Sequence, residues 1–215
     1  MTGWRFLPEG THLLAADETL LWQGRPAPRG LARRFLHLGA VTGYFAVLAA
    51  WNLIAAHADG FRAAEAMVAA FWVVIPALAA AALLYAIAWV ISATTLYTLS
   101  DKRVIMQLGV ALPIAVTIPL RSIGSADLRL YADGSGDVTF AFSGEDRLAY
   151  LLLWPHVRPG RYKKAEPMLR SLHNAQEVAA ILAQALVAVA PDHGFAPAIK
   201  PVPAGRRAAP AMVRA

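Results

Sequence analysis

The sequence is 215 residues long, 58% hydrophobic and 16% charged, with a mean hydropathy of +0.47; soluble domains average about 25% charged residues. That deficit excludes a wholly soluble protein and disorder over most of the chain. The formal charge is +6 and there is no cysteine, which excludes disulfides, thiolate catalysis, Fe–S clusters and cysteine-based zinc sites.

Residues 20–26 (LLWQGRP) read as a short strand ended by Gly24 and Pro26. Two stretches then lack Asp, Glu, Lys and Arg: residues 35–56 and residues 68–91. At 1.5 Å per residue each exceeds the roughly 30 Å hydrocarbon core of a bilayer. Lipid offers the backbone no hydrogen bonds, so both are expected to be membrane-spanning helices. The short connection at 57–67, with its Asp59-Gly60 turn, makes them an antiparallel hairpin. Arg25, Arg29, Arg33 and Arg34 precede the first helix and Lys102 and Arg103 follow the second, whereas the connection holds Arg62 alone. This bias predicts cytoplasmic termini. Residues 1–30 contain no apolar core of a signal peptide, so the first helix is expected to act as targeting signal.

Within the hairpin, Gly39 and Gly43 form a G-x-x-x-G, and Ala77 and Ala81 a small-x-x-x-small row. Small residues let helices approach closely, either the two helices of one chain or a seam between two copies. Pro76 is expected to kink the second helix or to mark its first third. No ionisable pair lies at mid-membrane, which disfavours a transporter or channel.

Beyond residue 93 the pattern becomes that of strands. Residues 94–99 (TTLYTL) and 103–108 (RVIMQL) flank a turn, 113–120 (PIAVTIPL) is bounded by prolines, and 127–131 and 138–142 flank Asp133-Gly-Ser-Gly-Asp137. Residues 147–154 (RLAYLLLW) read as a further strand. Such spacing argues for an antiparallel sandwich or barrel, and the first strand at 20–26 is expected to join it. Residues 175–190 form an amphipathic helix with Val178, Ile181, Leu182, Leu186 and Val189 on its apolar stripe, started by Asn174 and Glu177. The Pro/Ala-rich tail, 191–215, reads as disordered; from Ala196 it holds four cations and no acid, as suits a tether near anionic headgroups.

Catalytic motifs are missing: there is no H-E-x-x-H, G-x-S-x-G, P-loop or G-x-G-x-x-G, and a non-enzyme is expected. His12, His37, His57, His156, His173 and His193 are scattered without metal-like spacing. His37 lies beside Arg33 and Arg34, the common setting of an interfacial histidine, and no cofactor is expected from the residues. Asp133–Asp137 resembles a calcium loop only faintly, because Val138 and Gly144 stand where that loop needs Gly and Glu. The loop at 154–167 concentrates Trp154, His156, Arg158, Arg161, Tyr162, Lys163 and Lys164 among prolines. It reads as a rigid crossover, as a contact for a partner protein, or as a contact for anionic lipid; its short basic patch does not suit nucleic acid.

The succession LLWQGRP, two apolar helices, TLYTLSDKRVIMQLG and IPLRSIGSADL resembles bacterial membrane proteins with a pleckstrin-homology-like (PH-like) domain. More specifically, DLRLYADGSGDV and LLLWPHVRPGRYKKAEPMLRSL resemble the PuhB family of photosynthetic-complex assembly proteins of purple phototrophic bacteria. The resemblance implies a seven-stranded antiparallel sandwich closed by a C-terminal helix. The residue patterns above divide the chain into an N-terminal cytoplasmic segment with the first strand (1–34), a transmembrane hairpin (35–92), the domain that resembles PH (93–190) and the tail (191–215), which carries none of the likeness. The resemblance further implies an inner (intracytoplasmic) membrane location and a role in assembling or stabilising the reaction centre and core light-harvesting complex. The implied partners are reaction-centre subunits, the light-harvesting complex, other assembly factors and a second copy; the family supplies no catalytic residues. Beside such pigment proteins His37 could ligate a bacteriochlorophyll magnesium, although the interfacial histidine is the commoner case; no other cofactor is expected. The competing expectation is a lipid-responsive module that binds anionic headgroups.

Overall fold

The computed structural model describes residues 14–15, 17–109, 114–143, 150–160, 165–189 and 200–201. The chain divides into two compact units, residues 28–92 and the remainder.

In the larger unit, β1 (Leu20–Gly24) is an edge strand of an antiparallel sheet with β2 (Leu96–Ser100), β3 (Arg103–Leu108) and β4 (Ile114–Pro119), in the order β1-β2-β3-β4. The strand expected before the hairpin thus pairs with the first strand after it, Gln23 opposite Thr98 and Gly24 opposite Tyr97. Ser100 closes the tight β2–β3 turn: its Oγ donates to the Arg103 carbonyl at 3.1 Å and accepts from the Arg103 N–H at 3.0 Å. Asp17 and Glu18 reach the same turn and form ion pairs with Lys102 and Arg103 respectively.

A 3-10 turn (Leu120–Ser122) leads into the second sheet, built from β5 (Ile123–Leu130), β6 (Gly136–Phe142) and β7 (Met168–Leu172). Its order is β7-β6-β5-β8, where β8 is the two-residue Lys200–Pro201, parallel to β5. These two tail residues are therefore paired rather than disordered, and the rest of 191–215 lies outside the described residues. Both inner faces meet in one core, in which Tyr97, Met106, Ile118, Phe140 and Leu172 are buried. α5 (Ala175–Val189) closes it with Ala175, Val178, Ala179, Leu182, Ala185 and Leu186. The expected stripe is rotated: small alanines let the helix lie close to the sheet, Ile181 is only half-buried and Val189 is exposed.

Three expectations need correction here. Residues 150–153 form a short helix, α4 (Tyr150–Leu153), and not a strand; 144–149 lie outside the described residues. An apolar run this short carries no period by which helix and strand can be told apart. β7 replaces it as the partner of β6. Thr94 ends a helix instead of starting β2, and β5 begins at Ile123, four residues before the alternation becomes visible.

The smaller unit opens with α1 (Pro28–Gly30), which widens into a π-helical turn (Leu31–Phe35) closed by the Leu36 N–H donating to the Leu31 carbonyl at 3.0 Å. His37 then takes a left-handed conformation (φ 54°) and α2 (Leu38–Ala58) begins. The first long helix therefore starts at Leu38, not Phe35, because the left-handed residue interrupts the helical path. α3 (Ala63–Thr94) starts earlier than expected and runs through Pro76 without a break. Both α2 and α3 are long and apolar enough to cross a membrane. A separate apolar cluster of Leu31, Ala32, Ala88 and Ile91 packs the π turn against the last turns of α3.

Candidate functional site: the loop after Trp154

The loop that follows α4 is a hairpin-like excursion with a hydrogen-bonded stem. The Arg158 N–H donates to the Glu166 carbonyl (2.9 Å) and the Met168 N–H to the His156 carbonyl (2.9 Å), so residues 156–158 run antiparallel to 166–168. Pro159 and the positive-φ Gly160 turn the chain away at the tip. The Trp154-Pro155 peptide is cis.

Beneath the stem lies a buried polar cluster. The Tyr97 hydroxyl accepts from the Arg170 N–H at 3.2 Å and shares a 2.6 Å hydrogen bond with His156 Nδ1. The other ring nitrogen, Nε2, is hydrogen-bonded to Thr95 Oγ1 at 3.1 Å, so both nitrogens of the buried imidazole are satisfied. Burial holds the His156 pKa down at about 3, helped by the nearby Arg170 charge, and burial raises that of Tyr97. Arg170 straps the loop from its other side: Nε donates to the Pro155 carbonyl (2.7 Å) and Nη2 to the Val157 carbonyl (2.8 Å). Burial lowers the Arg170 pKa as well.

Arg170 reaches these groups because β7 is bulged: Val138 pairs with Leu169 but Gly136 pairs with Leu172, leaving an extra residue on β7. Ser171, at φ 49°, takes up the bulge, its N–H donating to Asp137 Oδ1 at 2.7 Å and its carbonyl accepting from the Ala27 N–H at 2.8 Å. Asp137 also accepts from the Tyr131 hydroxyl, while Asp133 accepts from the Ser135 N–H and hydroxyl. The Asp133–Asp137 segment is thus a hairpin turn whose carboxylates face protein donors. Among the described residues no three His, Asp or Glu groups are placed to hold a metal ion.

The sequence-predicted contact residues separate into distinct environments. Trp154 is 57% exposed although its neighbours Leu153 and Pro155 are buried. His156 is 1% exposed, which corrects its assignment to the contact surface: the ring braces the loop from inside. Arg158 is half-buried and bridges Glu166 Oε2 (3.0 Å) and Asp127 Oδ2 (3.4 Å). Arg161 and Tyr162 lie outside the described residues. In the other unit, Gly39 and Gly43 are exposed, and a methyl group on either would meet nothing within 4 Å of it in this one chain. Ala77 and Ala81 are half-buried and His37 is exposed. Sequence reasoning missed Tyr97, Thr95 and Arg170; the only local trace was polar residues at positions the strand pattern turns inward.

A bacterial PH domain model matches residues 34–186. The chain belongs to the bacterial PH domain family. The two four-stranded sheets closed by α5 agree with that membership. Over 181 residues the chain is 33% identical to an uncharacterised 23.7 kDa protein in the puhA 5′ region of Rhodobacter capsulatus, covering 83% of this chain and 81% of that protein. No solved structure matches it.

Proposed function

We propose that this bacterial PH domain protein is a non-catalytic assembly or stabilisation factor for the photosynthetic reaction centre and its core light-harvesting complex. It acts from the bacterial inner membrane, with α2 and α3 as spans and both termini cytoplasmic. The observation that carries the reading is Trp154, a large aromatic surface held outward on a loop whose backbone is strapped by Arg170 and braced by His156. A pre-ordered tryptophan loses little entropy when a partner covers it, which is why such residues dominate protein interfaces. The relative's place in the puhA 5′ region and the resemblance to PuhB support reaction-centre subunits, the light-harvesting complex and other assembly factors as partners.

The test is capture of partners by the tagged full-length protein from gently solubilised membranes during complex synthesis, with an absorption spectrum of the same fraction. Reaction-centre subunits should co-purify above an untagged control. Trp154→Ala should weaken that capture by about 2 kcal/mol, the usual loss for a central interface tryptophan, with no change in thermal stability. Capture that is equal for Trp154→Ala and the native chain would sink the loop as the contact.

A further inference from the structure

We propose that residues 28–37 form a docking site for the phosphodiester headgroups of anionic phospholipids, with Arg29 and Arg33 as its ligands. The inference shares with the proposed function only the reading of α2 and α3 as membrane spans.

The argument starts from the π turn. Its i to i−5 hydrogen bond, Leu36 N–H to Leu31 carbonyl, widens the helix so that residues four to five apart share a face. Leu31 and Ala32, 0% and 1% exposed, point into the cluster with Ala88 and Ile91. With that face fixed, Arg29 and Arg33 are left exposed on the other. His37 then redirects the chain, and Leu38 opens the apolar α2. In a membrane-spanning α2 the two guanidinium groups therefore lie at headgroup depth, Arg33 five residues and Arg29 nine residues before Leu38 opens the apolar helix.

The charge at this place is uncompensated, whereas Lys102 and Arg103 beyond α3 are paired with acids. No Asp or Glu occurs between Glu18 and Asp59. Arg25 donates to the Ala93 carbonyl, and Lys102 and Arg103 are paired with Asp17 and Glu18. Arg34 is half-buried and also makes contacts. Among the described residues, Arg29 and Arg33 have neither hydrogen-bond nor ion-pair partners. The planar guanidinium matches two phosphate oxygens at once, and a headgroup without a compensating cation leaves that attraction intact. An anionic phospholipid therefore fits better than a zwitterionic one.

The test reconstitutes the full-length protein into vesicles of equal phosphatidylglycerol and phosphatidylcholine. The protein is re-extracted in mild detergent at low salt, and its retained lipid is quantified by mass spectrometry. The native chain should retain phosphatidylglycerol about fivefold over phosphatidylcholine, as expected for one cation's worth of surface attraction. The R29Q/R33Q variant should return the ratio to that of the vesicle, and R29K/R33K, which keeps the charge but not the planar fork, should keep only part of the enrichment. If R29Q/R33Q fails to fold, R29Q and R33Q singly should each lose part of it. A native ratio equal to the vesicle's, enrichment unchanged in the glutamine variants, or enrichment lost on removing residues 191–215 instead would each overturn the proposal.

Discussion

The Arg25 guanidinium donates to the Ala93 carbonyl at 2.5 Å, joining the exit of β1 to the last turn of α3 across 68 residues of sequence. A helix C-terminus carries unsatisfied carbonyls and the negative end of the macrodipole, so a cation there satisfies both. The hairpin is inserted between the two strands that this contact brings together.

Removing the contact should loosen that junction. Arg25→Ala is expected to lower the stability of the detergent-solubilised full chain by about 1 kcal/mol, with Arg25→Lys losing less because the charge remains. Thermal unfolding followed by circular dichroism measures it, and an Arg25→Ala transition identical to that of the native chain would discount the contact.

His156 makes stability depend on pH. Its folded pKa is about 3, against roughly 6.5 for an unfolded histidine. Between those values the unfolded state binds the extra proton, so stability is fully present above about pH 6.5 and falls as pH drops through the window. The slope is at most about 1.4 kcal/mol per pH unit from this group. His156→Gln, which removes the titrating proton, should be less stable at neutral pH yet flatter between pH 4 and 6.5. Equal slopes for the two chains would show that carboxylates, not His156, set the acid limit.

Arg158 now reads as a structural residue, so charge reversal there confuses folding with binding. Its partner Glu166 has a side chain only 6% exposed, and Asp127 stands on the other side. Arg158→Glu sets three carboxylates together and should destabilise the domain by about 2 kcal/mol, after allowance for the partial exposure of Arg158. Arg158→Gln should cost about half as much. Denaturant midpoints of the two variants check the order, and a native-like midpoint for Arg158→Glu would restore this residue to the candidate contact surface.

Much of the architecture was legible in the sequence because its signals are local. A charge-free run of 22 residues at 35–56 specifies a long apolar helix, and the alternation in RVIMQL and VTFAF specifies strands. The unpaired edge implied by LLWQG required a partner, and β2 is that partner. Where the local signal was weak, expectation and fold diverged. YLLL carries no period and became a helix, while MLRSL, interrupted by Arg170, became a strand.

The site was only half legible for a different reason. Composition marked the loop after Trp154 as basic and aromatic, but whether a side chain there faces water depends on groups far away in sequence. His156 is drawn inward because Thr95 and Tyr97, 61 and 59 residues earlier, offer a hydroxyl to each ring nitrogen at hydrogen-bond distance. The same holds for the elbow before α2, where Leu31 and Ala32 find Ala88 and Ile91 and so leave Arg29 and Arg33 outside. Hydrophobic periodicity and missing charges determined the helices and most strands. The burial of polar groups was decided by the tertiary structure alone, because a buried donor or acceptor is tolerated only where the fold brings it a partner.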